Sequence, residues 1–440
     1  MMPIETRTAT PGRASGKPRV VILGGGSGGL ELAAQLGGSK DLEIVLVDRE
    51  PSHLWKPRLH EFAAGTISSS LAELSFYLLG QLRGFRFEQG TVAGLDREAR
   101  HVRLEPIRDR AGTVVAHERE IAYDWCIVAL GGVVPDFDTQ GVAEHAIRLD
   151  AKEDADRFRE RFVAEMIEAR TTGRPAEVVI VGSGATGTEL AAYLRRSERA
   201  FFDQTDADRR TKLLGITILE AAPEIMPGAD DGLRDKLVER LGTLGIEVET
   251  SVKVASVTPS EVCDERGKSW PADLVVWAAG LVGAPRLTAL GLETDEKGRI
   301  PVDATLRSSV DERVYVMGDA AAFVPKGADK PLPPTAQAAS QQASYLAAVL
   351  PLLVRGEPVE PFRYDDKGRI VSLAAAGTVG RIGVGAKDDL LIHGQFATAA
   401  YHALQRQHQW RVLGALRGTV AIAADMVSPA KGPALKLHGG

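Results

Sequence analysis

Short apolar runs rich in β-branched residues stop abruptly at glycine along this chain, and the pattern is written twice. The first run is Arg19-Val20-Val21-Ile22-Leu23. Glycines follow it, then residues 30–36 with helical spacing, then a second apolar run at 42–47 closed by Asp48. A strand, a tight loop, a helix and a strand within about 30 residues have the size of a βαβ crossover. The second copy begins with Glu177-Val178-Val179-Ile180-Val181. Glycines again follow, then a helical stretch at 188–195 and the run Gly215-Ile216-Thr217-Ile218-Leu219, closed by Glu220. Gly24 and Gly182, where the two loops open, are 158 residues apart. That distance marks a duplicated architecture, not a short tandem repeat.

Each unit is followed by one more apolar run ending in small residues. These are Cys126-Ile127-Val128-Ala129-Leu130-Gly131-Gly132 and Leu274-Val275-Val276-Trp277-Ala278-Ala279-Gly280, preceded by Asp124 and Asp273. A further run, Arg313-Val314-Tyr315-Val316-Met317, ends in Gly318-Asp319. Behind it Pro333-Pro334-Thr335 opens a helix through Ala336-Gln337-Ala338-Ala339-Ser340-Gln341-Gln342, proline suiting a first helical turn. The charged stretch 195–212, which contains Phe201-Phe202, reads as a helix end plus a surface insertion. Buried runs of this kind indicate parallel sheets covered by helices. The expectation is an α/β protein with two Rossmann-like dinucleotide-binding domains. One is discontinuous, at 18–150 and 285–350; the other is inserted between its halves, at 151–284. A flexible tail at 1–17 precedes them and a C-terminal region at 351–440 follows.

The loops carry the chemistry. Gly24, Gly26 and Gly29 satisfy GxGxxG: the first permits the tight turn, the second lets a pyrophosphate approach the backbone, and the third lets helix and strand pack closely. The helix N-terminus offers N–H donors and partial positive charge, and Asp48 stands where a carboxylate can accept ribose hydroxyls. A lone GxGxxG is weak; here strand, helix and strand-closing acid all accompany it. Gly182, Gly184 and Gly187 repeat the spacing, with Glu220 as the acid. A carboxylate there repels the 2′-phosphate of NADPH, and Ala221-Ala222-Pro223 offer no arginine to offset it, so NADH is the expected partner of the second loop. Two dinucleotide sites in one chain imply a bound FAD supplied by an exchanging NADH. Gly131 and Gly318 join the expected FAD contacts and Gly280 the NADH contacts. Asp319 occupies the position at which two-dinucleotide flavoproteins hold the ribityl chain. Ala336 begins a helix whose positive end, if aimed at the flavin pyrimidine, favours the anionic reduced form.

Composition narrows the classes further. The net charge is −6, which provides no basic field for nucleic acid. There are two cysteines, Cys126 and Cys263, far apart, which speaks for a reducing compartment and against a disulfide scaffold, a paired-cysteine redox centre or a four-cysteine metal site. No metal centre is expected. Residues 1–19 have no apolar core and do not read as a secretion signal, and nowhere do about 18 apolar residues run together.

With these residues in place, the chain resembles the bacterial type II NADH:quinone oxidoreductases, single-subunit respiratory dehydrogenases that do not pump protons. The resemblance spans roughly residues 18–437. Its specific part is Val47-Asp48-Arg49 followed by His53-Leu54-Trp55-Lys56-Pro57-Arg58-Leu59-His60-Glu61-Phe62-Ala63-Ala64-Gly65-Thr66. Ala185-Thr186-Gly187-Thr188-Glu189-Leu190-Ala191, the Ala336–Gln342 run and Tyr364-Asp365-Asp366-Lys367-Gly368 fit as well. Thr188 departs from a bulkier aliphatic residue often found there. The resemblance implies hydride transfer from NADH to flavin and two electrons onward to a membrane quinone. It implies that Gln337 borders flavin and quinone. It also implies that Glu189 lies near the nicotinamide and flavin, where it orients the ring or relays a proton. Lys56 is implied near the flavin, within reach of a carboxylate. The plainer alternative for Glu189 is a first-turn helix acid favoured by the dipole.

A quinone acceptor requires membrane contact, and the C-terminus is where the sequence offers it. Phe396, Ala400, Ala403 and Leu404 recur at helical spacing, followed by Trp410, Val412, Leu413, Ala415, Leu416, Val420 and Ile422. Arg406, Arg411, Arg417, Lys431 and Lys436 stand against Asp425 alone. An apolar face with local basic charge suits a helix lying on an anionic bilayer surface; a packing or dimer helix is the plainer alternative. The resemblance implies a peripheral protein at the cytoplasmic face of the bacterial inner membrane and is compatible with a homodimer. Three rivals remain: a sulfide:quinone oxidoreductase, which needs cysteines beside the flavin; a soluble flavoprotein reductase with another acceptor; and an NADH-sensing flavoprotein. Removing residues 395–440 is expected to detach the protein from membranes and leave FAD bound.

Overall fold

In the computed structural model the described residues are 16–67, 73–199, 212–384 and 388–427. Most of the N-terminal tail, most of the charged stretch near 195–212, and Lys431 and Lys436 lie outside them.

Two five-stranded parallel sheets carry the molecule, with corresponding strand orders. In the first, the order is Val314–Val316, Trp125–Val128, Arg19–Leu23, Glu43–Asp48 and Arg86–Gln89. In the second it is Ala146–Arg148, Leu274–Trp277, Ala176–Val181, Leu214–Leu219 and Glu247–Glu249. The strand that feeds each glycine loop is central. Its neighbours are the acid-closed strand on one side and the later apolar run on the other, in register Ile22 with Leu46 and Ile127, and Ile180 with Ile218 and Val276. Central parallel strands are buried on both faces, so they are continuous apolar runs instead of alternating ones. Val20, Val21, Ile22 and Leu23 have no solvent exposure.

The acids before the later runs have a shared task. Asp124 accepts the Arg19 N–H at 2.7 Å and Asp273 accepts the Glu177 N–H at 2.8 Å. Each carboxylate therefore takes a backbone donor at the start of the central strand of its own sheet. Each unit also inserts a three-stranded antiparallel meander after its acid-closed strand, at Val92–Asp96, His101–Leu104 and Arg119–Ala122, and at Val254–Val257, Glu261–Asp264 and Ser269–Pro271. The strand Val314–Val316 returns to the first sheet from beyond the second, as a discontinuous first domain requires. A two-stranded link, Gly132–Val133 with Val282–Gly283, joins the two halves.

Beyond them, Arg369–Ser372, Thr378–Val384 and Asp388–His393 form an antiparallel sheet, followed by the helices Gly394–Leu413 and Ala415–Val427. One sequence expectation is corrected locally. The helix after Pro333-Pro334 starts at Ala336, where Thr335 caps the Ala338 N–H at 3.1 Å; both prolines precede the cap, so neither forms the first turn. The stretch from Arg195 begins as the expected helix end, in Ala185–Glu198, and that end is turned inward. Arg195 and Glu198 are buried and paired at 2.6 Å, Arg195 also donates to the Leu214 and Gly245 carbonyls, and Glu198 accepts the Leu213 N–H.

Candidate cofactor and acceptor site

The two glycine loops have corresponding shapes, and the three glycines of each divide the work. Gly24 has φ +104° and Gly182 φ +108°, and a Cβ on either would meet a carbonyl oxygen, that of Ala129 at 2.3 Å or of Ala278 at 2.6 Å. On Gly29 or Gly187 it would strike the carbonyl of the first glycine, at 1.9 or 2.0 Å. At the middle glycines, Gly26 and Gly184, it would meet nothing within 4 Å. The outer glycines serve internal packing. The middle ones leave open backbone at the start of the helices Ser27–Leu36 and Ala185–Glu198, the geometry that accommodates a pyrophosphate.

The strand-closing acids reach back to these loops. Asp48 accepts the Gly25 N–H at 2.6 Å; Glu220 accepts the Ser183 N–H at 2.9 Å and the Ser183 hydroxyl at 2.5 Å, and its other oxygen takes the Ala222 N–H at 2.9 Å. Burial raises the Asp48 carboxyl, opposed by the Glu50 and Gly25 N–H groups and by Arg49 and Lys56. Lys56 exerts the same downward pull on Asp150 and Asp319, whose carboxyls burial also raises. Residues from three distant stretches thus share one ammonium. Asp319 lies against Gly132, beside Gly131, and the Gly318 N–H is held by the buried Gln342 at 2.6 Å. Gln342 comes from the helix that Ala336 begins, so the helix N-terminus and the Gly318-Asp319 turn are fixed together. Gly280 opens the other side of the domain junction, with the exposed Phe137 ring against it and Phe137 itself at φ +54°.

Gln337 and Glu189 both bond to the C-terminal region, at different points. Gln337 donates to the Tyr364 hydroxyl at 2.7 Å and to Asp366 at 3.3 Å. Glu189 is buried, accepts the Ser372 N–H at 2.9 Å and faces His60 Nδ1 at 3.4 Å. It is the fifth residue of its helix and points inward, so the reading as a first-turn acid is set aside. Burial, opposed by the Ser372 N–H, pushes Glu189 up to about 8, and burial takes His60 down to about 4, making both groups neutral near pH 7. His60 Nε2 is buried without a hydrogen-bond partner among the described residues.

Sequence reasoning missed a second buried cluster. Glu31 stands two residues after the third glycine of the first loop, as Glu189 does after that of the second, and it too meets a histidine: His408 Nδ1 at 2.7 Å. His53, quoted above only as part of the specific run, bridges from His408 to the Gly25 carbonyl. The repeated Gly-x-Glu spacing was the available signal; its partners lie up to 380 residues away and carry none.

The C-terminal stripe divides. Val412 and Ile422 are buried, whereas Phe396, Leu404, Trp410, Leu416 and Val420 are exposed. Arg411, counted above toward a basic surface, is instead paired with Glu31 at 3.1 Å. Among the described residues no helix is long and apolar enough to cross a membrane.

A family model described as pyridine nucleotide-disulphide oxidoreductase matches residues 18–343. The type II NADH:quinone oxidoreductase of Haemophilus influenzae is 33% identical over 443 residues, covering 95% of this chain and 99% of that protein. The solved structure of NDH2 from Plasmodium falciparum in complex with NADH matches with a TM-score of 0.77 at 17% identity, covering 94% of this chain and 99% of that one. The sulfide:quinone oxidoreductase of Aquifex aeolicus matches at 0.72 and 17%, covering 93% and 95%. Such close scores for proteins with different named donors speak for the fold alone.

Proposed function

The chain belongs to the pyridine nucleotide-disulphide oxidoreductases and, within them, to the type II NADH:quinone oxidoreductases; on that premise we propose that it oxidises NADH and reduces a quinone. FAD, when bound, supplies the two-electron chemistry between the two substrates. The observation that carries the reading is the pair of open glycine cradles, one per domain, each backed by a strand-closing acid.

We assign Gly24, Gly26, Gly29 and Asp48 to the FAD pyrophosphate and ribose, and Gly131, Gly318, Asp319 and Lys56 to the rest of the flavin nucleotide, with the helix starting at Ala336 turned toward the ring. Their common electrostatic dependence on Lys56 supports treating them as one site. Gly182, Gly184, Gly187, Glu220 and Gly280 are assigned to NADH. Gln337, oriented by Tyr364 and Asp366, is assigned to the quinone headgroup. Reduction of a quinone to a quinol takes up two protons. Glu189 suits a proton donor because, buried beside a neutral His60, its carboxyl retains its proton at neutral pH. Attachment to a bilayer, at the cytoplasmic face in a bacterium, is the remaining part of the reading. The exposed Phe396, Leu404, Trp410, Leu416 and Val420 support it, with Arg417 as a nearby exposed cation.

The test is stopped-flow reduction of the purified protein by NADH, followed by reoxidation with a short-chain quinone, both read at the flavin absorption band. Rapid bleaching and quinone-dependent recovery are expected. Bleaching without recovery keeps the NADH half and overturns the acceptor; no bleaching overturns the donor.

A further inference from the structure

We propose that the C-terminal helix Gly394–Leu413 completes the FAD site, with His408 and Glu31 as positioning residues that set, through His53, the orientation of the Gly25–Gly26 peptide. The inference rests on the assignment of FAD to the first loop.

Gly25 is held at both ends. Its N–H donates to Asp48 at 2.6 Å, and its carbonyl accepts from His53 Nδ1 at 2.9 Å. The C=O and N–H of one trans peptide point in opposite directions. Drawing the Gly25 carbonyl inward to His53 therefore turns the Gly26 N–H away from His53, on a glycine whose Cβ position is open. That N–H is the donor a pyrophosphate oxygen would meet first.

The hydrogen bonds fix where the protons sit. A carbonyl only accepts, so His53 carries its proton on Nδ1. Burial and the neighbouring His408 lower His53 to about 3, so the ring is neutral and Nε2 is a lone pair. His408 Nε2, 3.2 Å away, must then donate to it. One further proton lies between His408 Nδ1 and Glu31, 2.7 Å apart. Glu31 is in turn bonded by Ser340 at 2.5 Å and Arg411 at 3.1 Å, and Trp55 stacks on the His408 ring at 5.4 Å and 15°. Glu31, His53 and His408 are each at most 5% exposed. A chain so shielded, with each bond directed by the next, has one stable polarity, running from the C-terminal helix to the loop.

The second loop is secured otherwise. Ser183, the counterpart of Gly25, is held by Glu220 and by the Met226 N–H on its hydroxyl, all within one domain. The loop assigned to the resident cofactor is thus tied to a distant helix, and the loop assigned to the exchanging one is tied locally.

The experiment measures FAD release from the purified holoprotein, by the rise in FAD fluorescence on dilution, for wild type, His408→Leu and His408→Gln. Leucine keeps bulk without a donor; glutamine places an N–H near the Nε2 position. Release should be faster by about tenfold in H408L, the effect of losing one buried hydrogen bond, and be largely restored in H408Q. NAD+ binding to the second loop should not change. H408L that folds and holds FAD as wild type does overturns the inference. So does equal loss of FAD and of thermal stability in both variants, which would make His408 a packing residue only. Wild-type protein purified without FAD, and taking none up, overturns the underlying cofactor assignment instead.

Discussion

Glu220 commits both oxygens to its own loop, to Ser183 on one side and Ala222 on the other. Its carboxylate still carries the negative charge that disfavours a 2′-phosphate, but an alanine there would also orphan the Ser183 N–H. Glu220→Gln removes the charge and keeps one carbonyl oxygen for the two Ser183 donors, giving up only the Ala222 acceptor. The ratio of kcat/KM for NADH over NADPH should fall by roughly tenfold in this variant, as expected for removing one nearby like charge. An unchanged ratio would remove Glu220 from the selectivity argument. The glycines are legible at this scale because their spacing and turn geometry are local, even though the carbonyls pressing on Gly24 and Gly182 come from the distant Ala129 and Ala278. Glu31 was not, because a glutamate in an apolar helical stretch reads as a surface position until its partners from residues 340, 408 and 411 are in place.

Elements show a different limit. The strand–loop–helix–strand units are fixed by continuous apolar runs and are found with ends shifted by a few residues. The C-terminal helices follow from apolar spacing too, but spacing alone cannot divide a stripe between core and surface. Val412 packs into the first domain while Trp410, two residues away, stays exposed. Removing residues 395–440 therefore does not isolate membrane attachment, because it also takes away His408. Substitution at the outermost positions does: Leu416 is 80% and Phe396 66% exposed. Phe396→Asp with Leu416→Asp should reduce sedimentation with anionic vesicles by about tenfold or more and leave FAD in place. Undiminished sedimentation would locate the contact elsewhere.

At the scale of the whole molecule, Glu189 marks where three parts meet. It sits on the second-loop helix, faces His60 from the stretch after the first unit, and accepts from Ser372 of the C-terminal sheet. Its folded carboxyl is raised from the ordinary 4.5 to about 8, so the native state holds a proton that the unfolded chain releases. The contribution to stability is complete below about pH 4.5 and is lost as pH rises through about 8. Glu189→Gln keeps an acceptor for Ser372 and cannot ionise. Thermal melts between about pH 6 and 9 should therefore fall less steeply in the variant, by roughly 1–3 kcal/mol across the range. Parallel slopes would mean that Glu189 is not a neutral acid in the folded protein.

The sequence by itself determined the two duplicated units, their glycine cradles and their closing acids, because each is written in a spacing of a few dozen residues and in backbone geometry that only certain residues permit. It also carried the family resemblance, which the relation to the Haemophilus influenzae enzyme bears out. Tertiary structure alone decided which charges are surface and which are internal. Arg411 left the expected basic face to pair with Glu31, Arg195 in the charged stretch turned inward to pair with Glu198, and His53 met His408 across 355 residues. Burial of a polar group is set by everything that packs around it, and no local pattern contains that information.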